Sequence, residues 1–194
     1  MDTTAFIDQY LSQTKTIADE VDRVKIAQAV ELLTALKSRQ GRLFILGVGG
    51  SAANASHAVN DFRKICGIES YAPTDNVSEL TAWANDNGFE TIFINWLKTS
   101  RVGPLDVLFI FSVGGGSQTT SRNLVLAMEH GRQVGAKILS IVSRDGGTAK
   151  KLSDVCLLVP VLTAENITPH AEGWQAVLWH LIANAVKARC GCVS

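Results

Sequence analysis

Four short apolar runs, separated by longer segments of mixed polarity, restrict the possible folds of this chain more than any other feature. The runs occupy residues 42–46, 107–112, 137–143 and 155–161, and each ends at or next to a Gly, Ser or Pro. Runs of this length without polar alternation are typical of strands that are buried on both faces of a parallel sheet. Residues 70–73 add a fifth, shorter candidate strand.

The segments between these runs have the length and composition of helices. They span residues 51–66, 77–86, 89–100 and 118–135, and a last helix is predicted from about Pro169 to Lys187. Ahead of the first strand, residues 3–38 place apolar side chains three and four positions apart, which predicts one or two amphipathic helices. Strands that alternate with helices predict an α/β fold, in which helices cover both faces of a parallel sheet.

Length and charge limit the domain count and the kind of partner. A chain of 194 residues is long enough for one domain, which we take to be residues 1–194. The 18 Lys and Arg residues balance the 18 Asp and Glu residues, and no basic block stands out. We therefore expect a small molecule as partner, and neither a nucleic acid nor a membrane surface.

Cysteine usage and the first residues predict a cytoplasmic protein. Cys66, Cys156, Cys190 and Cys192 lack the spacing of metal ligands, and thiols of this kind are typical of a reducing compartment. The first ten residues are acidic and polar where a signal peptide needs a basic start, and no apolar run is long enough to span a membrane.

A glycine-rich loop follows the first predicted strand. Gly47, Gly49 and Gly50 precede Ser51, where a helix is expected to begin, and free amides at a helix start attract an anion. A dinucleotide-binding fingerprint needs a third glycine where this chain has Ala52. We therefore expect no nucleotide cofactor.

The pattern recurs after the second long strand. In residues 109–121, Ser112, Ser117, Thr119 and Thr120 surround three glycines, and no Walker lysine follows. Two such loops in one sheet favour a phosphate-bearing ligand at the carboxyl edge of the strands. The alternative is that the glycines and serines only turn the chain and cap helices.

Four ionisable residues fall on two predicted helices. His57 and Asp61 are four positions apart, and Glu172 and His180 are eight apart, a rotation of roughly 80° around the helix. Two imidazoles and two carboxylates can hold a zinc-like ion or divide general acid and base work. The alternative is a solvated helix face or a hydrogen-bonded core histidine, which is the interpretation we give His130 at a helix end.

Taken together, several motifs resemble the sugar isomerase (SIS) domain family, in particular its sedoheptulose 7-phosphate (phosphoheptose) isomerases. They are GVGGS at 47–51, HAVND at 57–61, ND.GF at 85–89, the loop at 112–121, SRDGG at 143–147 and the last helix with His180. The resemblance covers nearly the whole chain. It implies a five-stranded parallel sheet in a flavodoxin-like three-layer sandwich, and a homotetramer with active sites between subunits, in which residues 1–40 serve oligomerisation.

The resemblance also implies roles for individual residues in the conversion of D-sedoheptulose 7-phosphate to D-glycero-D-manno-heptose 7-phosphate through an enediol. Asp61 would be the base, and His180 and Glu172 the other catalytic residues. Substrate contacts would come from Gly49, Gly50, Ser51, Asn85, Asp86, Ser112, Gly114, Gly115, Gly116 and Ser117. The ligands of a divalent ion such as zinc would be His57, Asp61, Glu172 and His180.

This chain departs from the family pattern at several of these positions. Val48 stands in place of Asn, Asp61 in place of Glu and Glu172 in place of Gln, and residues 112–117 carry fewer hydroxyls. We interpret the departures as a subfamily signature that leaves more of the phosphate to backbone amides. Two alternatives stay open: a non-catalytic SIS module that senses a sugar phosphate or binds a protein, and an isomerase of another ketose phosphate.

Overall fold

The computed structural model describes residues 2–191 and contains a five-stranded, wholly parallel sheet in the order β2-β1-β3-β4-β5. The strands are β1 (Leu43–Leu46), β2 (Ser70–Tyr71), β3 (Val107–Phe111), β4 (Lys137–Val142) and β5 (Val155–Leu158). Each lies inside the segment predicted for it, so the predicted α/β fold is confirmed. Cys192 lies outside the described residues.

Helices connect the strands and cover the sheet. They are α1 (Thr3–Glu20), α2 (Arg23–Ser38), α3 (Gly50–Lys64), α4 (Val77–Asn87), α5 (Ile92–Thr99), α6 (Arg122–Gln133), α7 (Gly147–Leu152) and α8 (Ile167–Cys190), with short 3-10 turns at Pro73–Asp75 and Phe89–Thr91. The N-terminal segment forms two helices because the side chain of Asp22 accepts hydrogen bonds from the amides of Val24 and Lys25 and so caps α2.

Alternate residues of β1, β3, β4 and β5 enter two separate cores. Leu43 and Ile45 of β1 pack with α2, α3 and α8 on one face, whereas Phe44 and Leu46 pack with α5 and α6 on the other. Because both faces are covered, every residue of β1 is buried. This burial explains why the run is continuously apolar instead of alternating.

The strand order creates a crevice at the carboxyl edge of the sheet. β1 and β3 are neighbours, but the chain leaves β1 towards α3 on one face and leaves β3 towards α6 on the other. The two connections therefore diverge, and ligands of doubly wound sheets bind at such a switch point. In residues 2–191, no helix combines the length and apolar character that crossing a membrane requires.

Candidate functional site

A cavity of about 400 Å³ occupies this crevice. Its walls come from the ends of β1, β3 and β4 and from the start of α8. They are Val48, Ser51, Ser112, Val113, Gly114, Gly116, Ser117, Thr120, Ser121, Arg144, Asp145, Gly147 and Thr168. Five of the predicted substrate contacts, Ser51, Ser112, Gly114, Gly116 and Ser117, thus line one cavity.

The glycines of the second loop allow it to pack directly on the turn before α7. Gly115 has a φ of 71°, and a Cβ there would overlap the carbonyl oxygen of Gly146. The amides of Thr148 and Ala149 donate to the carbonyls of Gly116 and Gly115, both at 2.9 Å. Gly115 therefore serves close backbone approach and does not itself line the cavity.

Hydroxyl groups shape the same loop from within. The Oγ of Ser112 accepts a hydrogen bond from the amide of Gly115 at 3.1 Å, and the Oγ of Ser117 accepts from the amides of Thr119 and Thr120 at 3.2 and 3.0 Å. These bonds hold residues 118–121 as a loop, so α6 begins at Arg122 and not at 118 as predicted. The hydroxyl of Ser112 keeps its own proton for a ligand, whereas Ser117 Oγ also lies 3.4 Å from Thr119 Oγ1, and either of these two hydroxyls can donate to the other.

The first glycine loop ends where α3 begins. Gly49 is the N-cap residue, with a φ of 64° and no side-chain cap. Its carbonyl accepts from the amides of Ala52 and Ala53, which leaves the amides of Gly50 and Ser51 for another acceptor. The side chain of Glu172 extends from α8 to the start of α3. Its carboxylate lies so close to Gly50 that a Cβ added there would overlap the carboxylate oxygens. Gly49 and Gly50 are therefore at the helix start, beside the cavity and not among its lining residues.

Sequence reasoning did not identify several lining residues. Arg144, Asp145, Ser121 and Thr168 all face the cavity, and Arg144 is the only cation among the described residues that do so. The motif SRDGG was noted, but nothing in its spacing indicates that Arg144 and Asp145 would meet the loop after β3. That contact depends on the neighbouring positions of β3 and β4 in the sheet.

A second cavity of about 280 Å³ adjoins the first and shares Val48 and Ser121 with it. Phe89, Glu90, Thr119, Arg122 and Asn123 complete its walls. Asn123 is 1% exposed, and its Nδ2 has no acceptor among the described residues. Asn85 and Asp86 line neither cavity; they are exposed near the end of α4, where Asn85 Nδ2 donates to Asp86 Oδ1 at 2.7 Å.

Three predicted metal or catalytic residues meet between α3 and α8. The ligand atoms of His57, Asp61 and His180 all lie within 4.8 Å of one another. His180 Nδ1 is 3.2 Å from Asp61 Oδ2, and Asp61 Oδ1 accepts a hydrogen bond from Asn60 Nδ2 at 3.0 Å. Asp61 is buried, whereas 45% of the His180 side chain is exposed, so the cluster opens to solvent through the histidines.

Helical periodicity explains how α3 presents this cluster. Positions 50, 54, 57 and 61 share one face, and the residues there contact α8 in order. Asn54 Nδ2 donates to the carbonyl of Glu172 and to Gln175 Oε1, at 2.9 and 3.1 Å. Three residues further along α3, the His57 ring packs edge-on to the fully buried Trp179, with 4.8 Å between ring centroids. These contacts fix the register that brings Asp61 to His180.

Glu172 is not part of the cluster. Its carboxylate lies against Gly50 at the head of α3. The prediction that Glu172 joins His180 considered only the rotation between them around α8. The eight residues that separate them also advance about 12 Å along the helix axis, which keeps the two side chains apart. The structure thus brings three of the four predicted ligands together and places Glu172 between them and the cavity edge.

Comparison with known proteins gives a consistent result. Residues 5–143 match the SIS domain family. A phosphoheptose isomerase of Syntrophotalea carbinolica is 33% identical over 195 residues, which cover 95% of this chain and 94% of that protein. A phosphoheptose isomerase of Helicobacter pylori strain P12 is 32% identical over 169 residues, covering 84% of this chain and 82% of that protein.

Solved structures share the fold. A phosphoheptose isomerase from Neisseria gonorrhoeae superimposes with a TM-score of 0.82 at 24% identity and covers 95% of this chain and 96% of its own. One from Francisella tularensis gives a TM-score of 0.81 at 21% identity, covering 97% of this chain and 100% of its own.

Proposed function

Because the chain belongs to the phosphoheptose isomerases of the SIS domain family, we propose that it converts D-sedoheptulose 7-phosphate to D-glycero-D-manno-heptose 7-phosphate. The observation that carries the proposal is that α3 links both halves of such a site. Ser51 at its start lines the cavity, and His57 and Asp61 on the same helix form the cluster with His180.

The open-chain ketose binds with its phosphate in the 400 Å³ cavity of the crevice and its reactive end towards the cluster. Ser51, Ser112 and Ser117 donate hydroxyl protons to phosphate oxygens, and loop amides add further donors. The six residues from Ser51 to His57 advance about 9 Å along α3, a distance that an extended seven-carbon chain spans. Phosphate binding therefore positions C1 and C2 for reaction.

Two steps, each with two proton movements, account for the isomerisation. Asp61 removes a proton from C1, and the C2 carbonyl oxygen gains a proton to give the enediol. Asp61 then returns a proton to C2 while the C1 hydroxyl loses its own, which leaves the aldehyde. His180, whose Nδ1 lies 3.2 Å from Asp61 Oδ2, gives a proton to O2 in the first step and regains one from O1 in the second. Charge and atoms balance without any external redox partner.

The same cluster suits a divalent ion. Two imidazoles and one carboxylate within 4.8 Å match the three-ligand set of catalytic zinc sites, which leaves a position open to substrate. His57, Asp61 and His180 would hold the ion, and Glu172 would become a fourth ligand only by leaving Gly50. When bound, the ion would polarise the carbonyl of the sugar.

The proposal includes assembly into a homotetramer in the cytoplasm. Phe6, Ile7 and Leu11 of α1 are about half exposed, as are Val177 and Leu181 of α8, and a second copy of the chain would cover such faces. Light scattering of the purified protein measures the mass of the assembly.

The test is turnover of sedoheptulose 7-phosphate by the purified protein, with and without chelator, followed by the appearance of the aldose proton in NMR spectra. We expect the wild type to form the heptose phosphate. The His180→Gln variant should fold but lose at least about 99% of the activity, since general acid–base residues contribute 10²–10⁴-fold. His130→Gln, on α6 and outside both cavities, is the matched control and should retain activity.

Other results would change the assignment. Binding of sedoheptulose 7-phosphate without turnover would favour the non-catalytic sugar-phosphate sensor. Turnover of another ketose phosphate but not this one would retain the reaction class and replace the substrate. Undiminished activity of His180→Gln would remove His180 from the mechanism.

A further inference from the structure

Arg144 brings a positive charge to the phosphate cavity that none of the steps above uses. It belongs to the connection between β4 and α7, and no described residue forms a hydrogen bond or an ion pair with its guanidinium. We propose that Arg144 binds the phosphate of the substrate and makes the site prefer phosphorylated over neutral sugars. This inference rests on the function proposed above and assigns a specificity-determining residue to it.

The charges around the cavity favour this role. Asp145 also lines the cavity, and its Oδ1 accepts a hydrogen bond from the amide of Gly147 at 3.1 Å. The remaining walls offer hydroxyls, amides and apolar groups. Without Arg144, a phosphate dianion would therefore face one carboxylate and no cation. A guanidinium offsets that carboxylate and supplies paired donors with the spacing of phosphate oxygens.

The backbone conformation of Arg144 is unfavourable for a residue with a side chain, which indicates that the side chain has a role. Its φ of 54° lies in the left-handed region, which disfavours residues with a Cβ, while Gly146 and Gly147 occupy the same region in the same turn. Glycine would remove the strain at position 144. Strained backbone of this kind concentrates at functional sites, and Ser121, another non-glycine residue with positive φ, lines the same cavity.

Neighbouring residues leave room for the arginine. The Arg144 side chain passes beside Gly114 without crowding, since even a Cβ placed on Gly114 would be 3.9 Å from Arg144 Cδ, an ordinary contact. The loop contributes only two serine hydroxyls from residues 112–117, Ser112 and Ser117, and both already accept hydrogen bonds from loop amides. Arg144 supplies the additional donors that a phosphate needs.

The test compares the affinity for inorganic phosphate, measured by calorimetry, in the wild type, Arg144→Gln and Arg144→Lys. Losing a charge-assisted pair of hydrogen bonds should weaken phosphate binding about ten- to hundredfold in Arg144→Gln, and Lys should restore part of it. Arg101→Gln is the matched control: Arg101 also has a positive φ, of 51°, but precedes β3 at the opposite edge of the sheet. We expect its phosphate affinity to equal that of the wild type.

Glycine variants separate binding from stability. Arg144→Gly should raise Tm by relieving the backbone and still weaken phosphate binding, whereas Arg101→Gly should raise Tm alone. In turnover assays, Arg144→Gln should raise KM about tenfold or more for the phosphorylated sugar and leave kcat within about threefold, because the residue is remote from C1 and C2.

Two results would overturn the inference: equal phosphate affinity of Arg144→Gln and wild type, or no phosphate binding by the wild type. If the wild type fails to isomerise sedoheptulose 7-phosphate while Arg144→Gln still loses phosphate affinity, the proposed reaction is refuted and the role of Arg144 stands.

Discussion

The carboxylate of Asp61 and the imidazole of His180 meet between α3 and α8, with Oδ2 3.2 Å from Nδ1. Asp61 is buried against the helix pair, while nearly half of the His180 side chain is open to solvent. The pair therefore joins a buried carboxylate to an imidazole that solvent reaches, which suits the proton transfers of the proposed isomerisation.

Replacing the carboxylate of Asp61 should abolish proton abstraction without unfolding the protein. Asn has the same shape and keeps a hydrogen-bond acceptor for Asn60, so Asp61→Asn should lower kcat by about 10²–10⁴ and leave the melting temperature nearly unchanged. Exchange of the C1 hydrogen of sedoheptulose 7-phosphate with deuterated solvent measures this step directly. Exchange at the wild-type rate would show that another group is the base.

Zinc binding should depend on three side chains. At a free zinc concentration 100 times Kd, the ion stabilises the folded protein by about 2.7 kcal/mol, so wild-type Tm should rise with zinc and fall again with chelator. His57→Ala removes one ligand of the group and should abolish the rise. Glu172→Gln should retain it, because the carboxylate of Glu172 lies at Gly50 and outside the group. A lost zinc response in Glu172→Gln would instead make Glu172 a ligand.

The fold and the location of the cavity follow from local sequence signals. Uniformly apolar runs such as 107–112 occur where both faces of a strand are covered, and glycines after β1 and β3 indicate where the chain turns. Because all strands are parallel, the turns after them meet at one edge without any knowledge of long-range contacts. Five predicted contacts consequently fall in one cavity.

The rest of the site depends on how separate elements pack together, which helical or strand periodicity in the sequence does not reveal. His57 and Asp61 were predictable as one face of a helix, but their approach to His180 needs the register between α3 and α8, which Asn54 and Gln175 fix. Arg144 enters the cavity only because the turn after β4 packs on the loop after β3. Both features therefore depend on contacts between elements that are separated in the sequence: α3 with α8, and the turn after β4 with the loop after β3.

The loop after β3 packs so closely on the turn before α7 that Gly115 should not tolerate any side chain. A Cβ there would overlap the carbonyl of Gly146 and would also carry a φ of 71°. We expect Gly115→Ala to lower the free energy of unfolding by about 2–4 kcal/mol, from strain and overpacking together. Gly103→Ala is the control, because a Cβ at Gly103 meets nothing within 4 Å and its φ is not positive. Urea unfolding of both variants measures the difference, and equal stabilities would contradict the loop packing.

Asp154 should make stability depend on pH in the acid range. Burial would raise the pKa of its carboxyl, but the hydrogen bonds from Lys137 and the Ile138 amide, with the charges of Lys137 and Arg132, outweigh burial and lower that pKa below 3.8. Lys137 Nζ lies 2.7 Å from Oδ1, and the Ile138 amide 2.9 Å from Oδ2. Since the folded protein holds the proton less tightly than the unfolded chain, this stabilisation is complete well above pH 4.

The stabilisation should then disappear as pH falls through the unfolded and folded pKa values in turn. Asp154→Asn removes the charge and should cost about 1–2 kcal/mol at pH 7, a cost that shrinks progressively below about pH 4 because the wild-type carboxyl becomes protonated as well. Urea unfolding at pH 7, 4.5 and 3 measures this convergence. Asp8→Asn, on the exposed face of α1, should show no such difference at pH 7. A cost that stays constant across the three pH values would mean that Asp154 acts through shape and hydrogen bonding alone, without its charge.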